Sequence, residues 1–120
     1  MTYLYVFLGG GLGTLMRYLV SKASLNYFEG SFPLGTFISN ILACAILALL
    51  VVTFSQKEAE FTWIQPLLIV GFCGGFSTFS TFSNETFNLI SSGNLLLAIF
   101  NIALSIVVGV GLIYFIRTSV

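Results

Sequence analysis

The sequence predicts an all-α membrane protein with four transmembrane helices, on three observations. Of 120 residues, 58% are hydrophobic and 7% charged, whereas a soluble domain draws about a quarter of its residues from Asp, Glu, Lys and Arg. Apolar runs of the ~20 residues that a helix needs to cross a hydrocarbon core recur four times. The links between them carry the turn formers and most of the charge. Lipid is therefore the solvent for most of the exterior, and open β-structure is excluded because its edges would go unpaired there. The length fits a single transmembrane domain over residues 1–120.

The same composition excludes several kinds of chemistry. Net charge is zero and no basic run exists, so nucleic acid is not an expected partner. With no His, there is no Ser-His-Asp or Cys-His nucleophile. Cys44 and Cys73 lie in separate apolar runs without neighbouring His or Asp, which reads as small apolar packing and not as a disulfide or metal pattern. An enzyme is not expected.

The first run, Tyr3 to Val20, lacks a basic leader and a small-x-small cleavage pattern, so it reads as a permanent first helix. Within it, Gly9 and Gly13 form a small-xxx-small pair suited to close helix packing. No Lys-Ser/Thr follows the glycines, which excludes a phosphate loop. Arg17 either anchors at the interface or has an internal partner, because a lone charge at membrane depth costs several kcal/mol. The first link holds Lys22, Asn26, Glu29, Gly30 and Pro33.

The second run, Leu34 to Phe54, starts after Pro33, where a missing N–H costs nothing. Thr36, Asn40 and Cys44 recur at spacing four as a narrow polar face. The Asn40 carboxamide either ties two helices together or offers N–H groups to an anion. The link that follows holds Gln56, Lys57, Glu58 and Glu60.

The third run, Trp63 to Ile90, contains Gly74-Gly75-Phe76-Ser77-Thr78-Phe79-Ser80-Thr81-Phe82-Ser83-Asn84-Glu85, more polar than any lipid-facing helix needs. Gly74-Gly75 predicts a break near residues 74–79, and broken helices persist at membrane depth only when buried in protein or lining a cavity. A break frees carbonyls that suit a cation and N–H groups that suit an anion. Phe76, Phe79 and Phe82 at spacing three are expected on one face, where their positive ring edges can hold an anion weakly. Hydroxyls and an amide (Ser77, Ser80, Thr81, Asn84) interleave with the rings. Glu85 is the only carboxylate inside an apolar run, and its sign favours a place near a pathway's mouth.

The turn Ser91–Asn94 leads into the fourth run, Leu95 to Ile116. Asn101, Ser105 and Gly109 at spacing four either line a path or grip a neighbour. Short links make the bundle up-down-up-down, with both termini on one side. Lys57 and Arg117 on that side balance Lys22 and, if it reaches the interface, Arg17 on the other, so the positive-inside rule gives a tie. Either a weak bias decides, or chains insert both ways and pair antiparallel, as an inverted repeat made from two identical polypeptides.

These residues resemble the Fluc (CrcB) fluoride channels along nearly the whole chain. The matching blocks are Gly10-Gly11-x-Gly13-x-x-x-Arg17-Tyr18, Pro33-x-Gly35-Thr36 with Asn40, and above all Gly71–Phe82. The resemblance implies an antiparallel, dual-topology homodimer in the inner or plasma membrane with two fluoride pathways. It also implies a structural Na+ at the dimer centre, held by the carbonyls of Gly74 and Ser77. Carried over by position, Phe79 and Phe82 line the pore with Asn40, and Ser80, Thr81 and Ser105 form a polar track. Thr36 lies on the polar face with Asn40, Glu85 stands near one end of the pathway, and Arg17 matches the first-helix arginine. Two positions depart: Ser77 stands where threonine is common, and Asn101 where some relatives carry tyrosine.

Fluoride is strongly hydrated, so a pore must offer donors in place of water without trapping the ion. Asn40, Ser80, Thr81 and ring edges fit that need. The resemblance thus implies passive fluoride export that lowers cytoplasmic fluoride. The rival reading is a small multidrug-type proton-coupled antiporter, of similar length and helix number. Such a transporter carries a membrane-embedded glutamate in its first helix, and this first helix has no acid.

Overall fold

The computed structural model describes residues 1–57 and 59–119; Glu58, placed above in the second link, lies outside them. Helix α1 spans Thr2–Tyr27 and α2 spans Leu34–Phe54. The third span opens with π-type winding over Gln65–Cys73, continues as the short α3, Gly74–Phe76, and after a break resumes as α4, Phe79–Ser91. Helix α5, Leu95–Thr118, completes the chain. Among the described residues, four segments are long and apolar enough to cross a membrane: Thr2–Tyr27, Leu34–Phe54, Gln65–Ser91 and Leu95–Thr118.

One expected boundary moves, and the break is located more finely within its expected range. The first helix does not stop at Val20: Lys22 and Asn26 belong to α1, not to the link. Nothing in residues 21–27 breaks a helix, and a helix end need not coincide with the edge of an apolar run. The break in the third span falls within the expected residues 74–79, but Gly74 and Gly75 are helical and the chain leaves the helix at Ser77 (φ −86°, ψ 157°) and Thr78 (φ −153°, ψ 119°). Gly75 serves close approach instead: a Cβ there would stand 2.5 Å from the Gly10 carbonyl oxygen.

Pairings between spans give the directions. A Cβ on Gly9 would overlap the Leu67 carbonyl and one on Gly13 the Phe72 carbonyl, while Arg17 reaches Gly75. Residue numbers therefore rise together, and α1 lies parallel to the third span. Gly35 meets Ser21, Thr36 meets Glu85 and Asn40 meets Thr78, so α2 runs opposite to both. Phe32, just before α2, stacks edge-on with Phe100, and Cys44 meets Gly109, which sets α5 parallel to α2. The result is the expected up-down-up-down order, with the start of α1 and the end of α5 on one side. The turn into α5 uses Gly93 at φ 88°, a left-handed conformation that glycine adopts without strain.

The interior is built from small residues. Ala43, Ala48, Ala98, Ser39 and Thr36 are buried with Gly9 and Gly13, joined by Ile64, Phe76 and Leu89, while most of the other Leu, Ile and Phe side chains cover the outside. In water that inside-out pattern would be unstable. In lipid it is the expected one, because backbones gain by close van der Waals approach and the large apolar groups meet acyl chains. Gly71 shows both uses at once, since a Cβ there would stand 2.9 Å from the carbonyl oxygen of Pro66, five residues back, and 3.0 Å from Gly9 Cα.

Candidate functional site

The site begins at the break. In an uninterrupted helix each N–H donates to the carbonyl four residues earlier. Here the Thr78 N–H instead donates to Asn40 Oδ1 at 2.7 Å, and the Thr81 N–H donates to Thr78 Oγ1 at 3.2 Å. The carbonyls these amides leave without a helical partner are those of Gly74 and Ser77, the two expected to face a cation. The carbonyls beside them are occupied: Cys73 accepts from the Ser77 N–H at 3.0 Å and the Ser77 hydroxyl at 2.9 Å, and Gly75 accepts from Arg17 Nε at 3.0 Å. Arg17 therefore has the internal partner, and its charge sits at the C-terminal end of the first half-span, where the helix dipole favours a cation.

Thr78 caps α4. Besides accepting from the Thr81 N–H, its hydroxyl donates to Thr81 Oγ1 at 3.2 Å and lies 3.3 Å from Ser80 Oγ. Thr78 is not among the site residues expected from the sequence. The available signal was a threonine directly before a helical run, the usual N-cap residue. Asn40 completes the arrangement by donating from Nδ2 to the Thr78 carbonyl at 3.3 Å.

A groove of about 300 Å³ opens beside this break, lined by Asn40, Cys44, Ser77, Phe79, Phe82 and Ser105, among others. It unites four of the expected pathway residues. Cys44, read as packing, is the unexpected member, one turn from Asn40 on the same face. Phe79 and Phe82 stand with ring centroids 6.0 Å apart, and Phe79 is 80% exposed in the single chain. Phe76 does not join them: the break rotates it away, and it is buried edge-on against Phe72 at 5.7 Å.

Other expected residues lie around the groove and not on it. Ser80 is exposed on α4, and Thr81 is held by Thr78. The buried Thr36 hydroxyl donates to Glu85 Oε1 at 2.5 Å, and both residues line a separate pocket of about 140 Å³ toward the 28–33 link. Glu85 also borders a larger cleft with Asn88, Ser92 and Asn94. The acid is thus at one end of the polar face, as expected.

The fourth-helix polar face divides. Asn101, 1% exposed, donates from Nδ2 to Thr86 Oγ1 at 3.1 Å, so it grips α4. Gly109 packs against Cys44 and Ile41 of α2. Only Ser105 reaches the groove, and its hydroxyl makes a long 3.5 Å bond to Asn101 Oδ1.

Fold and site together define a multi-pass membrane protein with a broken helix beside a groove lined by apolar and uncharged polar side chains, the type of site that passes or binds a small ion. The chain belongs to the CrcB-like (Camphor Resistance) family, whose model matches residues 4–116. It is 39% identical over 108 residues to a protein of Flavobacterium psychrophilum, covering 90% of this chain and 87% of that one. It is 43% identical over 114 residues to a protein of Pyrococcus abyssi, covering 94% and 90%. It is also 32% identical over 115 residues to one of Solibacter usitatus, covering 96% and 94%. Each of the three is named a fluoride-specific ion channel, FluC.

Proposed function

We propose that this protein is a fluoride-selective channel that lets fluoride leave the cell down its electrochemical gradient. The observation that carries the reading is the groove at the break, where Asn40, Ser105, Phe79 and Phe82 converge without a full charge among them. A fluoride ion there exchanges water for the free Nδ2–H of Asn40, the Ser105 hydroxyl and the positive ring edges. Each is a weak enough partner to release it. Glu85, held by Thr36, marks one mouth and keeps its negative charge out of the groove. An inside-negative potential of about 100 mV drives an outward anion by about 2.3 kcal/mol per charge, so no second energy source is required. Family membership and the absence of any acid in Thr2–Tyr27 both favour a channel over a proton-coupled antiporter.

The working unit in this proposal is an antiparallel homodimer. Ser80, Ser83 and Asn84 are exposed on α4 at membrane depth, beside the protruding Phe79 ring. Polar groups there need a protein cover and not lipid. The Gly74 and Ser77 carbonyls suit Na+, which takes neutral oxygen ligands. With its equivalents in a second copy, this pair would form a four-oxygen site. Bound there, Na+ would supply fixed positive charge near the anion path and join the two copies.

Reconstituted protein in liposomes is expected to release fluoride on addition of a potassium ionophore and to retain chloride. Equal release of the two anions, or none, would refute the channel reading.

A further inference from the structure

The Asn40 carboxamide is committed to the break before it meets any ion. Its Oδ1 accepts the Thr78 N–H and its Nδ2 donates to the Thr78 carbonyl. A carboxamide carries donor and acceptor in one plane, as a peptide group does. Asn40 therefore gives Thr78 the pairing that a neighbouring strand would give, and Thr78 is extended to receive it, at φ −153° and ψ 119°.

Local sequence does not explain why the span breaks where it does. Ser77 and Thr78 are neither glycine nor proline, and both glycines nearby are helical. A helix that ran on through residues 77 and 78 would return the Thr78 N–H to the Gly74 carbonyl. In lipid that closure is favoured, because an unpaired amide or carbonyl costs several kcal/mol. The break requires a competitor for the Thr78 peptide supplied from outside the span. Among the described residues, Asn40 is the side chain from another helix that bonds it on both its N–H and its C=O. Thr78 Oγ1 helps by capping α4, but it satisfies the Thr81 amide and leaves the Thr78 amide to be dealt with.

We infer that Asn40 is the positioning residue that holds the third span broken. One side chain then has two products: it turns Ser77, Thr78, Phe79 and Phe82 toward the groove, and it keeps the Gly74 carbonyl out of the helix. The inference uses the channel reading for what the break is for, and not for how the break is held. It also divides the carboxamide. One Nδ2–H and the oxygen belong to the backbone, and only the second Nδ2–H is left for an ion.

The test reads backbone conformation and transport separately. In isotopically labelled protein in bilayers, the 13Cα and 13Cβ shifts of Ser77 and Thr78 distinguish extended from helical backbone. Wild-type protein is expected to show extended shifts. Asn40→Leu, similar in size and without either bond, is expected to move both residues to helical values. Asn40→Ala deletes the same bonds with less bulk should leucine not pack. Asn40→Asp keeps the acceptor for the Thr78 N–H, so it is expected to retain extended shifts. Its fluoride efflux should nevertheless fall at least about tenfold (~1.4 kcal/mol), because it places a negative charge on the groove wall. Extended shifts persisting in both Asn40→Leu and Asn40→Ala would overturn the inference and leave Asn40 as wall alone. Absence of efflux from wild-type protein would instead count against the channel reading, while the shifts would still decide this one.

Discussion

The two halves of the third span use small and polar residues for opposite ends. Before the break, Gly71 and Gly75 let the backbone lie directly against α1, where Gly9 and Gly13 offer the matching gaps. After the break, Ser80, Ser83 and Asn84 are exposed and Phe79 projects from the chain. The first half is finished by contacts within one chain. The second half presents polar groups and an aromatic ring that the single chain leaves uncovered. The same compositional oddity, a run rich in Gly, Ser and Thr in an apolar segment, thus has a packing role and a functional role a few residues apart.

The largest effect is expected in the first half. Gly13→Leu would drive a side chain into the Phe72 carbonyl and the Phe76 amide, both backbone groups that cannot swing aside. A loss of at least about 3 kcal/mol is expected, seen as failure to recover folded protein in detergent. In the second half, Phe79→Ile should leave folding intact, since the ring packs little within its own chain, yet reduce fluoride efflux at least about tenfold. A stability loss in Phe79→Ile as large as that of Gly13→Leu would erase the distinction between the halves.

Smaller effects sharpen it. Ser105→Ala removes one groove donor whose existing bond to Asn101 is long, and about 1 kcal/mol, or roughly fivefold in efflux, is expected. Gly11 lies between Gly9 and Gly13, but a Cβ on it would meet nothing within 4 Å. Gly11→Ala is therefore expected to raise thermal stability slightly, by about 0.5–1 kcal/mol, because alanine is the better helix former. A destabilised Gly11→Ala would mean that the whole glycine run, and not one face of it, carries the packing.

What was legible in the sequence follows from what hydrocarbon enforces. Spans, their number and their alternating direction came from run length and short links, because lipid permits few other solutions. The convergence of Asn40, Phe79, Phe82 and Ser105 also followed, through the resemblance carried by Gly71–Phe82. The break also falls within the expected residues 74–79, but its cause did not follow. Gly74-Gly75 were read for conformational freedom, but they are used for the absence of a Cβ, and the break is held from α2 by Asn40. A partner in direct contact but 38 residues away in sequence leaves no local trace at Ser77 and Thr78. Phe76 was lost from the aromatic stripe for the same reason, since period counting assumes a helix without interruption. The end of α1 lies beyond the expected Val20 because the end of an apolar run marks the edge of hydrocarbon, not where a helix stops.

The central claim is that the neutral groove beside the break passes fluoride and rejects chloride. Its most direct test is the reversal potential of purified protein in a planar bilayer with fluoride on one side and chloride on the other. Reversal near the fluoride equilibrium potential is expected, unchanged when a proton gradient is imposed. Reversal near zero, or a potential that follows the proton gradient, would contradict it.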